Sequence, residues 1–135
     1  DRPPLIYEDG MQKRDFVNVR DVVQACRLAF EVPGVAGETF NIGSGNAYTV
    51  RELAERMASV LRKGEIVPQL TGKYRAGDIR HCFADITKAK QLLDYQPRVS
   101  LEEGLTELVG WLADQSAVDS VEHANLDRPC PAYPA

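Results

Sequence analysis

The sequence lacks long apolar runs, closely paired cysteines and any large excess of one charge. A membrane-spanning helix needs roughly 20 consecutive apolar residues, and no segment approaches that length. We therefore expect neither a membrane span nor a secretory signal. The three cysteines (Cys26, Cys82 and Cys130) form no CxxC pair, which favours a reduced, cytoplasmic setting. Net charge is −4 with both signs interspersed, which argues against a nucleic-acid partner.

The composition is that of an ordinary globular domain. Of the 135 residues, 44% are hydrophobic and 27% are charged, which suits a single core. Apolar residues recur at helical spacing in four segments, with short extended segments between them, so we predict an α/β fold. The expected helices are residues 22–31, 50–62, 86–93 and 101–115, and the expected extended segments are 38–42, 65–70 and 79–84. Residues 1–115 form the expected lobe, and the proline-containing residues 116–135 an irregular tail.

Polar residues mark where the helices are expected to begin. Asp21 is a predicted N-cap for the first helix and Thr49 for the second. Ser100 and Glu103 have the spacing of a capping box at the start of the last helix. The first helix is predicted to bury the face that carries Val22, Cys26, Ala29 and Phe30.

Two arginine-containing segments stand out. KRDFVNVRD spans residues 13–21, and YRAGDIRHCFAD spans residues 74–85. Each places an arginine, Arg14 or Arg75, in a short polar loop with an aspartate nearby. Two convergent guanidiniums suit a diphosphate, because each offers a planar fork of donors to phosphate oxygens. If residues 78–82 are extended, Asp78 and Cys82 share one face of that segment.

Four motifs occur in an order that resembles a known family: IYEDGMQKRDFVNVRDV, GETFNIGSG with TVRELAERMA, YRAGDIRHCFADITKAKQLL, and YQPRVSLEEGLTELVGWL. They are similar to the C-terminal half of nucleotide-sugar epimerases and dehydratases of the extended short-chain dehydrogenase/reductase family, like UDP-glucose or dTDP-sugar 4-epimerases. The resemblance covers about residues 3–112. It implies a two-lobed NAD-dependent enzyme, commonly a homodimer, in which a Rossmann lobe binds NAD and the smaller lobe binds a UDP- or dTDP-sugar.

The resemblance implies a role for five residues. Arg14 and Arg75 match the arginines that contact the substrate diphosphate, and Asp78 the aspartate that binds ribose hydroxyls or braces an arginine. Tyr7 matches a position at which the chain of family members passes the base of the substrate. Cys82 matches a position at which side-chain size limits the sugar pocket.

Structural alternatives remain open for four of these residues. Arg14 could form an exposed pair with Asp15, Tyr7 could be a core aromatic, Asp78 could cap a loop, and Cys82 could be a small buried hydrophobe.

Two family motifs are missing, so we expect neither catalytic nor cofactor-binding residues here. There is no G-x-x-G-x-x-G fingerprint for NAD and no Tyr-x-x-x-Lys motif. The Rossmann lobe is therefore expected to be absent, NAD to belong to a full-length parent, and this chain alone to be inactive. His81 and Cys82 would point to opposite faces, so no metal site is predicted. Alternatives are a dehydratase, decarboxylase or reductase lobe, and a free-standing nucleotide-binding or scaffold module.

Overall fold

The computed structural model describes residues 2–74, 77–116 and 128–129. Within these residues, four helices pack beside three small sheets built from two-residue strands, so the predicted α/β class is confirmed. The helices are α1 (Val19–Glu31), α2 (Val50–Val60), α3 (Thr87–Leu93) and α4 (Leu101–Leu112). The strands are β1 (Leu5–Ile6), β2 (Lys13–Arg14), β3 (Tyr48–Thr49), β4 (Gln69–Leu70), β5 (Lys73–Tyr74), β6 (His81–Cys82) and β7 (Arg128–Pro129).

The sheet that contains Arg14 and Cys82 has the order β3-β2-β6. Strand β2 pairs antiparallel with β3 and parallel with β6. In the other two sheets, β1 pairs parallel with β4, and β5 pairs antiparallel with β7. The segment before α1 is therefore joined directly to a segment almost 70 residues further along the chain.

Helices α2 and α4 begin where the sequence predicts. Thr49 accepts a hydrogen bond from the Glu52 amide, and the Glu52 carboxylate accepts one from the Thr49 amide. Ser100 and Glu103 form the same reciprocal capping box at α4. Each box satisfies backbone N–H groups that have no partner inside the helix. Both predicted caps are confirmed, although each helix ends slightly earlier than expected.

The predicted start and buried face of α1 are wrong. Asn18 is the N-cap, because its side chain accepts from the Arg20 amide. Asp21 lies in the first turn, only 2% exposed, and accepts from the amides of Arg98 at 2.9 Å and Val99 at 3.1 Å. Because Asp21 must face those amides, the helix turns its other side outward. Three of the four residues predicted to be buried are therefore exposed: Cys26, Ala29 and Phe30.

The core lies between α1, α3 and the segment after α3. Its buried members are Ala25, Ile86, Ala89, Leu93 and Tyr95. The Tyr95 hydroxyl donates to the Gly43 carbonyl at 2.9 Å. Burial, together with the negative charges of nearby aspartates, raises the pKa of Tyr95 to about 12.

The prediction of a strand at residues 38–42 is wrong, and these residues form a loop. Phe40 and Ile42 pack against the core instead, while Lys88 donates to the Thr39 carbonyl. Most of the tail predicted at 116–135 lies outside the described residues, apart from Ser116 and strand β7. None of the helices in the described residues is long and apolar enough to cross a membrane.

Candidate functional site

The strand register places Arg14 at the middle of a three-strand row. Arg14 is the Cα partner of Tyr48 on β3 and of Cys82 on β6. Paired residues on neighbouring strands project to the same face of a sheet. Tyr48, Arg14 and Cys82 therefore share one face, and we call this row the Arg14 face.

The Arg14 guanidinium holds the segment that precedes β6. Its Nη2 donates to Asp78 Oδ1 at 2.9 Å and to the Ile79 carbonyl at 2.6 Å. Its Nη1 donates to the carbonyls of Arg80 at 3.2 Å and Lys13 at 2.9 Å. Asp15, the alternative partner suggested by the sequence, is not among these contacts. Arg14 thus joins the two arginine-containing segments across 64 residues of sequence.

Asp78 lies where it can brace Arg14. Its carboxylate accepts from Arg14 and from the Ile79 amide at 2.9 Å, and its side chain is 43% exposed. Gly77, just before it, has φ of 83°, a left-handed conformation that glycine adopts without steric cost. Arg75, the second predicted diphosphate ligand, lies outside the described residues.

A second arginine, Arg80, joins the same two segments, and its side chain extends from the later segment to the earlier one. Arg80 donates to both carboxylate oxygens of Asp9 at 2.7 Å and to Glu8 Oε2 at 2.8 Å. The hydrogen bond from Arg80 lowers the pKa of Asp9 to about 2, and its interactions with Asp9 and Glu8 raise the pKa of Arg80. Arg80 therefore pairs with two acids of the segment between β1 and β2.

Tyr7 precedes Glu8 in the chain, and Cys82 is the strand partner of Arg14. The Tyr7 carbonyl accepts from the Gln12 side chain at 3.0 Å, and Tyr7 itself is half-buried. Cys82 is exposed, so the alternative of a small buried hydrophobe is not found. The position of Tyr48 on the Arg14 face was not predicted from the sequence, because its pairing with Arg14 spans more than 30 residues and leaves no local signal.

The GSG loop at residues 43–45 is held by a carboxylate. Asp15 accepts from the amide of Ser44 at 2.8 Å and from that of Gly45 at 3.2 Å. A Cβ added at Gly43 would lie 3.0 Å from Asp15 Cγ, so glycine is needed for this close approach. Backbone amides that already face a carboxylate cannot also hold a dinucleotide pyrophosphate. The GSG loop therefore does not fit NAD, and it precedes strand β3 rather than a helix.

Comparison with known proteins identifies the family. The family model described as GDP-mannose 4,6 dehydratase matches residues 1–108. The chain belongs to this family. Its members include NAD-dependent nucleotide-sugar epimerases and dehydratases of the extended short-chain dehydrogenase/reductase group, as the resemblance implied.

One curated relative and two solved structures illustrate the similarity. The dTDP-L-rhamnose 4-epimerase of Burkholderia thailandensis is 36% identical over 82% of this chain and 30% of its own length. The UDP-glucose 4-epimerase of Thermotoga maritima, solved with UDP-glucose, has a TM-score of 0.72 at 38% identity, covering 82% of this chain and 35% of its own. For the UDP-glucuronic acid 4-epimerase of Bacillus cereus, solved with a UDP-sugar and NAD, the TM-score is 0.75 at 29% identity, with the same coverages.

Two facts limit what the family establishes. Other relatives are dehydratases and decarboxylases, so the general kind of function is shared while the reaction differs. The chain also spans about a third of the length of the curated relatives that it matches. Within the described residues, no group of three or more His, Cys, Asp or Glu side chains could hold a metal ion.

Proposed function

We propose that this chain binds the nucleoside diphosphate of a UDP- or dTDP-sugar, in an NAD-dependent enzyme that epimerises the sugar at C4. One observation carries the proposal. Arg14 lies on the central strand of a sheet and contacts Asp78, 64 residues away, at 2.9 Å. Folding therefore joins the two segments that the sequence marked as the edges of a diphosphate site.

Each site residue has a role in this proposal. Arg14 is 26% exposed and is assigned to the diphosphate, and Arg75 is assigned to it from the family resemblance alone. Asp78 braces Arg14 and can also accept a hydrogen bond from a ribose hydroxyl, because a carboxylate has several acceptor sites. Tyr7 is assigned to the base, and the exposed Cys82 on the Arg14 face to the sugar.

The remaining chemistry is assigned outside this chain. The GSG loop does not fit NAD, and the relatives are about three times as long. We therefore place NAD and the proton-transferring group in the rest of a longer protein. We expect this longer protein to be a cytoplasmic homodimer, and we expect the chain alone to be inactive.

A titration with UDP tests the binding role in the full-length protein that carries this sequence. The variants are Arg14→Met and Arg75→Ala, with Arg27→Met as control, since Arg27 forms an exposed ion pair with Glu31 within α1. Losing a charge-assisted contact to the diphosphate costs about 1.5–3 kcal/mol, so each test variant should bind UDP roughly 10 to 150 times more weakly. Unchanged affinity in both would refute the assignment.

A dehydratase or decarboxylase is the second candidate. It is supported by a relative named UDP-glucuronic acid decarboxylase 1, from Arabidopsis thaliana, which is 36% identical over 79% of this chain. Product analysis separates the candidates. Loss of water or carbon dioxide from the sugar excludes simple epimerisation, whereas a product of unchanged mass and inverted C4 supports it.

A further inference from the structure

Two arginines link the same two segments in opposite directions. Arg14 on β2 reaches forward to Asp78 and to the carbonyls of Ile79 and Arg80. Arg80 reaches back to the carboxylates of Glu8 and Asp9, in the loop between β1 and β2. The Arg80 carbonyl also accepts from the Lys13 amide at 3.2 Å. Arg80 therefore contacts the earlier segment twice: its side chain binds the β1–β2 loop, and its backbone carbonyl accepts from the first residue of β2.

The Arg80 contacts have the geometry of a strong ion pair. Two parallel N–H donors face the two oxygens of Asp9, each at 2.7 Å, and such a fork adds orientation as well as energy. The side chain of Glu8 is only 5% exposed. A buried carboxylate needs a cationic partner, because removing it from water without one is costly. The backbone at Glu8 is left-handed, with φ of 54°, and a non-glycine residue keeps that conformation only when its surroundings enforce it.

We infer that Arg80 is a positioning residue for the diphosphate site: through Asp9 and Glu8 it fixes residues 77–82, so that Asp78 holds Arg14 in its binding orientation. The inference rests on the proposed function and adds a residue that contacts no ligand itself. Arg14 can be held by Asp78 only while the segment that carries Asp78 keeps its place beside β2. Arg80 supplies the side-chain contacts that hold this segment to the β1–β2 loop.

The test compares matched variants of the full-length protein. Arg80→Met and Asp9→Asn each remove the fork, and their double variant removes both partners. Arg27→Met is the control, because it removes an exposed ion pair with Glu31 in α1. Hydrogen exchange is measured at the amides of Lys13 and residues 77–82, and affinity is measured for UDP and for uridine.

Two results are expected if Arg80 positions the site. Exchange rises at Lys13 and at residues 77–82 in both single variants, and not in the control. UDP binding weakens about tenfold and uridine binding weakens by a smaller factor, because uridine loses only the ribose contact of Asp78, whereas UDP also loses the diphosphate contact of Arg14. The double variant should bind UDP no more weakly than Arg80→Met alone, since that substitution already removes the interaction with Asp9.

Several outcomes overturn the inference. Unchanged exchange in Arg80→Met refutes positioning, and an equal loss of UDP and uridine binding indicates a general loss of structure. If Arg80→Met does not fold, Asp9→Asn decides by the same criteria. If the wild-type protein binds no UDP, the proposed function fails, whereas the exchange measurement still decides whether Arg80 fixes residues 77–82.

Discussion

Replacing Asp21 with Asn separates two roles for this residue. The sequence predicts an N-cap, and asparagine caps helices as well as aspartate does, so that role predicts little change in stability. In the structure Asp21 is buried, and its two oxygens accept from the amides of Arg98 and Val99. An asparagine side chain has one acceptor oxygen, so its amide nitrogen would face the other backbone N–H.

The size of the effect follows from those two contacts. A hydrogen bond to a charged group contributes about 1.5–3 kcal/mol, and a buried donor left without a partner costs about 1–3 kcal/mol. With one neutral hydrogen bond retained, Asp21→Asn should lower the free energy of unfolding by about 3 kcal/mol. For a chain of this size the thermal midpoint should fall by roughly 10 °C.

Thermal and urea denaturation followed by circular dichroism measure this difference. The control is Asp94→Asn, the same substitution at an exposed position with φ of 52°. Asparagine tolerates the left-handed region, so the control should match the wild type or exceed it slightly. If Asp21→Asn is as stable as its control, the amides of Arg98 and Val99 do not depend on this carboxylate, and the structural role assigned here is refuted.

Three further perturbations have clear expected outcomes. Gly43→Ala should cost about 1–3 kcal/mol in urea denaturation because the new methyl overlaps a neighbouring carboxylate, whereas Gly110→Ala, with no atom within 4 Å, should stabilise α4 by up to roughly 1 kcal/mol. Arg80 lowers the pKa of Asp9 from 3.8 to about 2, so the stability that Asp9 contributes is present above its ordinary pKa and is lost as pH falls towards the lowered one. The difference between wild type and Asp9→Asn should close over that range. Exposed apolar side chains favour self-association of the isolated chain; Phe30 is 92% exposed, so Phe30→Ser should reduce this self-association in sedimentation velocity without lowering the thermal midpoint. An unchanged sedimentation profile would count against an apolar contact at this residue.

Local signals explain which parts of the fold could be predicted. The capping boxes at Thr49 and Ser100 involve residues three positions apart, so the sequence contains the whole interaction. The buried face of α1 could not be read in the same way. Its orientation depends on Asp21 meeting backbone amides 77 and 78 residues away, and hydrophobic spacing alone favoured the wrong side.

The candidate site shows the same division. The two arginine-containing segments were identified from sequence as converging on a diphosphate, whereas the contact that joins them, from Arg14 to Asp78, has no local signal. The tie between Arg80 and the two acids at residues 8 and 9 requires three-dimensional information. Opposite charges lie near one another throughout this sequence, so proximity in the chain does not select the partners.

The occupied guanidinium of Arg14 has a consequence for how binding would respond to salt. All four of its Nη hydrogens have acceptors in the protein, so a diphosphate that contacts these nitrogens must exchange with Asp78 or share with it. Such an exchange replaces one ion pair by another and leaves the number of paired charges nearly constant. Affinity for UDP should therefore fall less steeply with ionic strength than it would if two solvent-exposed arginines captured the ligand.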